Sequence, residues 1–252
     1  MRNIPNIITL VNLFLGCVAV VMAIEGQPGT AAILIIIGSI LDFMDGMAAR
    51  LLRAGSPIGQ QLDSLADLVS FGVAPAAIAY QYLVETAQVF NHEGLRIVFP
   101  FLAFFLAVFS GLRLAIFNID SRQTDSFIGL PTPANALFFC SLPFVLAFSA
   151  KQGVIYGVVT DLVSSTIVFP AVVLLFSWLL VSPFRMFSLK VKSFAFRENR
   201  LRYFFLGGSL VFLLIFGLEA FPLIMIFYII LSLIDHFFNQ PGKNPGNHSH
   251  QI

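Results

Sequence analysis

Long apolar stretches separated by short polar connections dominate the pattern along this chain. A membrane-spanning helix needs about 20 mostly apolar residues. Such stretches occur near residues 5–24, 31–53, 57–82, 96–118, 131–150, 164–183, 203–218 and 220–237. The pattern predicts an all-α, polytopic membrane helix bundle of about eight transmembrane helices, with a six-helix core in residues 1–185 and a C-terminal helical hairpin in residues 203–238. The two hairpin segments are short, so a hairpin that does not fully cross the bilayer is the alternative.

The composition agrees with a membrane location. Apolar residues make up 58% of the 252 residues and charged residues only 11%, which is far from the average of a soluble domain. Fourteen basic and thirteen acidic residues nearly cancel, so no nucleic-acid partner is expected. Cys17 and Cys140 lie inside apolar runs, where a thiol is usually a small buried hydrophobe rather than a disulfide partner or a zinc ligand.

The basic residues predict the orientation, because lysine and arginine gather on the cytoplasmic side of a membrane. Only Arg96 and Lys151 fall on the opposite side of an eight-helix arrangement. The cytoplasmic side receives Arg2, Arg50, Arg53, Arg113, Arg122, Arg185, Lys190, Lys192, Arg197, Arg200, Arg202 and Lys243. A multi-pass membrane protein follows, with both termini and the connection between the second and third helices facing the cytoplasm.

Two polar segments flank the C-terminal hairpin. Residues 186–202 form a predicted basic cytoplasmic loop, which either attracts anionic lipid head groups or serves only to set the topology. Residues 239–252 contain Pro, Gly, Asn and His and predict a disordered tail.

Acidic residues stand out inside the second apolar stretch. At about 100° per residue, Asp42 and Asp45 share one face of the helix with Gly38, Gly46 and Ala49. Two carboxylates are therefore flanked by small residues, with Arg50 at the edge of the same face.

The third apolar stretch repeats this arrangement. Gly59, Asp63, Ala66, Asp67 and Ser70 lie on one face, while the residues between them are mainly leucine and valine. An ionised carboxylate in a membrane helix costs at least about 2.5 to 3.5 kcal/mol and usually faces a functional cavity. Four carboxylates of one sign repel one another unless cations neutralise them.

Hard divalent cations, Mg²⁺ or Mn²⁺, are the cations that carboxylate oxygens prefer. Two ions about 3.5 to 4 Å apart can hold the attacking and leaving oxygens of a phosphoryl or phosphatidyl displacement. The small residues Gly46, Ala49 and Gly59 between the acids allow a phosphate to approach the helix backbone. Ordinary helix packing is the alternative explanation for each of them singly.

The spacing Asp42-x-x-Asp45-Gly46-x-x-Ala49-Arg50, followed after eight residues by Gly59-x-x-x-Asp63-x-x-x-Asp67, resembles the signature of the CDP-alcohol phosphatidyltransferases. The resemblance implies metal-dependent transfer of a phosphatidyl group from a CDP-activated lipid to an alcohol, with CMP as the leaving group. It implies that Asp42, Asp45 and Asp63 are chiefly metal ligands. It also implies that Asp67 is the catalytic base and contacts the metal as well.

Segments around the signature are similar to those of the bacterial membrane-type phosphatidylserine synthases within that family. The segments that carry this similarity are Ile4-Pro5-Asn6 with Thr9 and Asn12, Asp67-x-x-Ser70-Phe71-Gly72-x-Ala74-Pro75, Arg113-Leu114-x-x-Phe117-Asn118 and Phe127-Ile128-Gly129-Leu130-Pro131-x-Pro133. The resemblance implies CDP-diacylglycerol and L-serine as substrates, two Mg²⁺ or Mn²⁺ ions, and a homodimer. It also implies location in the inner (plasma) membrane of a bacterium.

Substrate-binding residues are predicted beside the acids: Asn6, Gly46, Ala49, Arg50, Gly59, Ser70 and Arg113. The carboxylate of serine needs a cation, and Arg113 and Arg122 lie on the appropriate side of the membrane. For both arginines the alternative is a side chain that extends to the interface without binding substrate. Asn6, Thr9 and Asn12 either line the nucleotide pocket or bond to neighbouring helices.

Two rival functions follow from the same residues. The acceptor can instead be glycerol phosphate, inositol phosphate or choline, with the same chemistry. Intramembrane acids also occur in cation transporters. Here, however, the acids cluster toward one cytoplasmic end and no charged relay continues across the bundle, which argues against transport.

Overall fold

The computed structural model describes residues 3–119, 126–149, 153–187 and 199–238, and these residues are overwhelmingly helical. In chain order the α-helices are α1 Ile4–Ile24, α2 Pro28–Leu51, α3 Pro57–Asp67, α4 Ala74–Thr86, α5 Glu93–Val98, α6 Phe105–Ile119, α7 Thr132–Phe148, α8 Val154–Ser164, α9 Val168–Val181, α10 Arg200–Phe216 and α11 Ala220–Phe238. Two short antiparallel strands, β1 Ser126–Ile128 and β2 Arg185–Phe187, pair with Phe127 opposite Met186.

The predicted membrane bundle is confirmed. Five continuous helical stretches in the described part of the chain are long and apolar enough to cross a membrane: Ile4–Ile24, Pro28–Leu51, Pro57–Val89, Glu93–Ile119 and Arg200–Phe238. The pair α8 and α9 makes a sixth if it is counted as one broken span. Helix α7 is also apolar but shorter, with 17 residues.

The last stretch folds back on itself as the predicted hairpin. Gly217 adopts a positive φ of 54° and ends α10. The arms pack against each other through aromatic rings, with the Phe205 and Phe227 centroids 5.9 Å apart. Helix α11 also contacts the core, because the Tyr228 hydroxyl donates a hydrogen bond to the Phe187 carbonyl oxygen at 3.0 Å.

The predicted span near residues 164–183 corresponds to α9, but α8 before it was not predicted as a separate helix. The two helices meet at 87°. The Ser165 hydroxyl accepts a hydrogen bond from the Val168 N–H at 3.0 Å, so it satisfies a donor at the start of α9 and favours a break there.

Close packing of α1 places its polar residues against the acidic helices. A side chain at Gly16 would lie 2.9 Å from the Ser70 Cα, and one at Gly38 would lie 2.7 Å from the Asn12 Oδ1. Small residues let membrane helices approach in this way. The approach brings α1 beside both α2 and the segment that follows α3.

Residues Leu68–Val73 form one π-helical segment between α3 and α4, where the sequence predicted a continuous helix. Pro75 lacks an N–H and its ring would clash with the carbonyl four residues earlier, so a regular α-helix is disfavoured there. The segment begins directly after Asp67. Such π-helical insertions are frequent at functional sites.

Several residues with predicted roles lie outside the described part of the chain. They are Arg2, Arg122, Lys151, the basic residues Lys190, Lys192 and Arg197, and the tail 239–252.

Candidate functional site

Three of the four predicted aspartates converge. Asp42 comes from the C-terminal half of α2, and Asp63 and Asp67 come from successive turns of α3. Each offers one carboxylate oxygen, and these oxygens all lie within 4.8 Å of one another. All three side chains are half-buried. We refer to Asp42, Asp63 and Asp67 as the carboxylate triad.

Asp45 is held differently from the triad. It is only 5% exposed, and the Thr9 hydroxyl of α1 donates a hydrogen bond to its Oδ2 at 2.5 Å. Its carboxylate is still close enough to Asp42 and Asp63 to repel both electrostatically. The structure therefore places Asp45 beside the triad, with one oxygen engaged by α1.

A pocket of about 470 Å³ opens next to Asp45 and Asp63, a volume within the usual range for small-molecule sites. It lies between the start of α1, the end of α2 and the start of α3. Its wall consists of Pro5, Asn6, Thr9, Asp45, Gly46, Ala49, Ala54, Gly55, Ser56, Pro57, Gly59, Gln60 and Asp63. Of the predicted substrate-binding residues, Asn6, Gly46, Ala49 and Gly59 are thus brought together.

Gly46 and Gly59, two of the three glycines in the wall, serve different purposes. A Cβ atom added to Gly46 would meet no atom of the described chain within 4 Å, so this glycine keeps space in the pocket open. A Cβ atom at Gly59 would lie 2.9 Å from the Asn6 Oδ1. Gly59 therefore allows Asn6 to approach α3.

Arg50 and Ser70 do not line this pocket. Arg50 is exposed, and its Nε donates a hydrogen bond to the Gly46 carbonyl oxygen at 3.0 Å. Ser70 is fully buried, and its hydroxyl donates to the Asn12 carbonyl oxygen at 3.0 Å. Ser70 thus fastens the π-helical segment to α1.

Arg113 lies in the interior of the bundle and does not line the pocket. It is 7% exposed, and one guanidinium nitrogen donates to the Thr132 hydroxyl of α7 at 3.0 Å. Its charge interacts with Asp67 and with the Tyr228 hydroxyl of α11. Arg113 is therefore not a surface side chain that extends to the membrane interface.

The structure adds polar residues that the sequence did not single out, namely Thr132, Asn135 and Tyr228. Asn135 is fully buried in α7. The sequence could have indicated Asn135, because an amide side chain inside a mainly apolar membrane helix is often functional. Nothing local, however, indicated that it lies near Arg113.

The triad fits a divalent cation by its chemistry. Carboxylate oxygens are the preferred ligands of Mg²⁺ and Mn²⁺, and the 4.8 Å limit on the oxygen separations is close to what one octahedral ion with bonds of about 2.1 Å requires. The Asp67 Oδ1 is buried and has no hydrogen-bond partner among the described residues. A cation gives this oxygen the partner that the protein does not provide.

Comparison with known proteins bears on the chemistry of this site. The family model for CDP-alcohol phosphatidyltransferases matches residues 2–181, which include the triad, Asp45 and Arg113. This chain belongs to the CDP-alcohol phosphatidyltransferase family. The part that the family model matches ends at α9, so the hairpin α10–α11 lies outside it.

Curated relatives refine this comparison. The CDP-diacylglycerol–serine O-phosphatidyltransferase of Bacillus subtilis is 38% identical over 148 residues, which cover 57% of this chain and 77% of the relative. The protein of the same name from Helicobacter pylori strain 26695 is 39% identical over 135 residues, 53% of this chain and 54% of the relative. The one from Saccharomyces cerevisiae is 37% identical over 175 residues, 62% of this chain and 58% of the relative.

Proposed function

We propose that this chain transfers the phosphatidyl group of CDP-diacylglycerol to the hydroxyl of L-serine, with divalent metal bound, and gives phosphatidylserine and CMP. The observation that carries the proposal is the convergence of the carboxylate triad beside an open pocket lined by glycine. Serine as acceptor is supported by the names of the relatives.

Asp42, Asp63 and Asp67 would hold the metal, with Asp45 and its Thr9 partner beside them. When bound, Mg²⁺ or Mn²⁺ neutralises the charge of the pyrophosphate and of the departing CMP. Since Asp45 and Asp63 both face the pocket, a second ion as predicted from the sequence would be held on that side.

The pocket would receive the CDP part of the lipid substrate. Gly46 and Ala49 leave room beside the acids, and Gly59 allows Asn6 to approach. Arg50 is exposed and bonds to the carbonyl oxygen of Gly46. Ser70 would act through packing, because its hydroxyl is bonded to the backbone of α1.

Asp67 would act as the base. The carboxylate oxygen of Asp67 that does not contact the metal accepts the proton of the acceptor hydroxyl, and the hydroxyl oxygen forms a bond to the phosphorus that carries the diacylglycerol. The bond from that phosphorus to the bridging oxygen breaks, and CMP leaves with the electron pair. Arg113, close to Asp67 on the interior side, would bind the carboxylate of serine.

Orientation and assembly are part of the proposal. Exposed Arg50 and Arg53 at the end of α2 support a cytoplasmic active site, to which serine has access while the lipid enters from the cytoplasmic leaflet. The homodimer predicted from the resemblance stays a prediction.

The experiment is an assay of purified protein with radiolabelled serine and CDP-diacylglycerol. We expect labelled phosphatidylserine and equimolar CMP, abolished by a chelator and lowered at least about 100-fold in Asp67→Asn. Asp161→Asn, which removes an exposed carboxylate of α8, is the matched control and retains activity.

Parallel reactions with glycerol phosphate, inositol phosphate and choline separate the acceptors. CMP release with one of these but not with serine would replace serine in the proposal. Full activity of Asp67→Asn, or activity in the presence of chelator, would contradict the mechanism. Metal flux into proteoliposomes without CMP release would support transport instead.

A further inference from the structure

A second polar cluster lies on the interior side of the triad, where α6, α7 and α11 meet. It consists of Arg113, Thr132, Asn135 and Tyr228. Thr132 and Asn135 are fully buried, and Arg113 and Tyr228 are 7% and 6% exposed. None of these residues lines the glycine-containing pocket. The proposed function uses only Arg113 from this cluster.

Several buried donors and acceptors in and beside this cluster have no hydrogen-bond partner among the described residues. Asn135 has no partner for either its Nδ2 or its Oδ1, and the same holds for the Nε of Arg113 and the Oδ1 of Asp67. Buried polar groups are almost always hydrogen-bonded, because an unbonded one costs about 1–3 kcal/mol. These atoms therefore indicate a bound polar ligand or water.

These four atoms belong to three residues, Asp67, Arg113 and Asn135. Arg113 interacts with the charge of Asp67 on one side and donates to the Thr132 hydroxyl on the other. Asn135 comes three residues after Thr132, so both lie on the same face of α7. Thr132 therefore links Arg113 to the face of α7 that carries Asn135.

Tyr228 closes the cluster from the hairpin. Its hydroxyl donates to the Phe187 carbonyl oxygen, so the phenolic oxygen has only acceptor capacity left. Tyr228 lies within electrostatic range of the Arg113 guanidinium. The ring is fixed by neighbouring aromatic rings, with its centroid 5.0 Å from that of Phe187. The hairpin thus places a hydroxyl group in the neighbourhood of the arginine.

This set of groups matches a small zwitterion that carries a hydroxyl. The Arg113 Nε and the Asn135 Nδ2 are donors suited to a carboxylate, the Asn135 Oδ1 is an acceptor suited to an ammonium group, and Asp67 takes the hydroxyl. An alcohol without a carboxylate leaves the Nε of Arg113 without a hydrogen-bond partner, which costs binding energy.

We propose that Arg113 and Asn135 form the subsite for the carboxylate and ammonium groups of an amino-acid acceptor, and that Tyr228 of the hairpin is a positioning residue for Arg113. The inference rests on the proposed function. It extends that function by giving Asn135 a specificity role and α11 a part in acceptor selection.

The experiment measures initial rates of CMP release against acceptor concentration at saturating CDP-diacylglycerol. For Asn135→Ala we expect kcat/KM for serine to fall about 10- to 100-fold, as for loss of a hydrogen bond to a charged group. The KM for CDP-diacylglycerol stays unchanged. Ser141→Ala is the matched control, because Ser141 is buried on the same helix and bonds only to the Phe138 carbonyl oxygen of its own helix.

Tyr228→Phe keeps the ring and removes the hydroxyl. We expect a higher KM for serine with little change in kcat, since the reacting atoms are untouched. A merely structural role would instead lower the melting temperature and the amount of active enzyme without changing the KM for serine.

Asn135→Ser serves as the second variant if Asn135→Ala does not fold.

A panel of acceptors tests the subsite without any variant. Ethanolamine lacks the carboxylate and 3-hydroxypropionate lacks the ammonium group, so wild-type enzyme should use each at least about 10-fold less efficiently than serine. Equal use of serine and ethanolamine would overturn the proposal. Unchanged serine kinetics in folded Asn135→Ala or Asn135→Ser would also overturn it and leave a buried water as the occupant. If wild-type enzyme releases CMP with glycerol phosphate and not with serine, the proposed function fails instead.

Discussion

The hydrogen bonds of the individual carboxylates distinguish Asp45 from Asp67. Thr9 occupies one oxygen of Asp45, whereas Asp67 keeps a buried oxygen without a partner among the described residues. An oxygen that already accepts a hydrogen bond has less capacity for a metal or a proton. At the residue scale, the neighbours of each aspartate therefore decide its role more than its place in the signature does.

Metal binding by the triad is testable without substrate. Asp63 repels Asp42 in the absence of a cation, so Asp63→Asn should raise the melting temperature of metal-free protein above that of wild type. Added Mg²⁺ should stabilise wild type, by about 2.7 kcal/mol at 100 times the dissociation constant. It should stabilise Asp63→Asn less. Thermal unfolding in detergent, with Asp161→Asn as the control, measures both effects. Equal stabilisation of all three proteins by Mg²⁺ would count against the triad as the metal site.

Space at Gly46 gives a second prediction at this scale. A methyl group at this position meets no atom of the described chain within 4 Å, so Gly46→Ala should fold as well as wild type. It narrows the pocket, and we expect at least about a 10-fold loss in kcat/KM for CDP-diacylglycerol. Gly207→Ala in α10 is the matched control, because that position is equally open but lies outside the pocket. Unimpaired catalysis by Gly46→Ala would show that the substrate does not pass this residue.

At the scale of elements, two interruptions of regular structure position the site. The π-helical segment Leu68–Val73 starts after Asp67 and is tied to α1 through Ser70. The segment around β1 is tied to the end of α9, where the Gly129 N–H donates to the Phe184 carbonyl oxygen at 2.8 Å and the Leu130 N–H donates to the Leu179 carbonyl oxygen at 2.9 Å. The second connection leads into α7, and so places Thr132 and Asn135.

Gly129→Ala tests this second connection. Gly129 has a φ of +77°, and an added Cβ would overlap the Leu180 carbonyl oxygen. We expect a loss of stability beyond the roughly 1–3 kcal/mol of an unfavourable backbone conformation. Gly26→Ala is the control, because Gly26 has a φ of +76° with nothing within 4 Å and should incur only the backbone cost. Melting temperatures in detergent compare the two, and similar losses would mean that the close approach to α9 is unimportant.

On the scale of the whole molecule, the hairpin is joined to the catalytic core and is not a separate anchor. Tyr228 bonds to the backbone of β2, and the ring of Phe221 packs 5.5 Å from that of Phe144 in α7. The family model ends at residue 181, so the contact with Phe144 joins the hairpin to the part of the chain that the family model matches.

Orientation in the membrane is a prediction of the same scale. With Cys17 and Cys140 replaced by alanine, we expect a membrane-impermeant maleimide to label Gln27→Cys in intact cells but to label Leu52→Cys only after permeabilisation. The reason is that arginines flank the end of α2 and should stay cytoplasmic. Both positions are exposed, so access to the reagent is comparable. The reverse pattern of labelling would place the active site on the outer side.

The helices and the two acidic faces could be predicted from the sequence, because apolar length and helical periodicity are local properties. Spacing alone put Asp42 with Asp45 and Asp63 with Asp67. The right angle between α8 and α9 and the π-helical segment were not predicted. Ser165 and Pro75 disfavour a continuous α-helix locally, but neither residue alone determines the angle of the break or the type of helix that results.

The sequence by itself thus determined a membrane bundle, its family signature and the residue types that can hold a metal. Only the tertiary structure decided which three carboxylates converge, that Thr9 engages the fourth, and that Arg113, Asn135 and Tyr228 meet behind them. The physical reason is that each of these relations joins side chains on different helices. Contacts of that kind depend on close packing through small residues, and no local pattern encodes them.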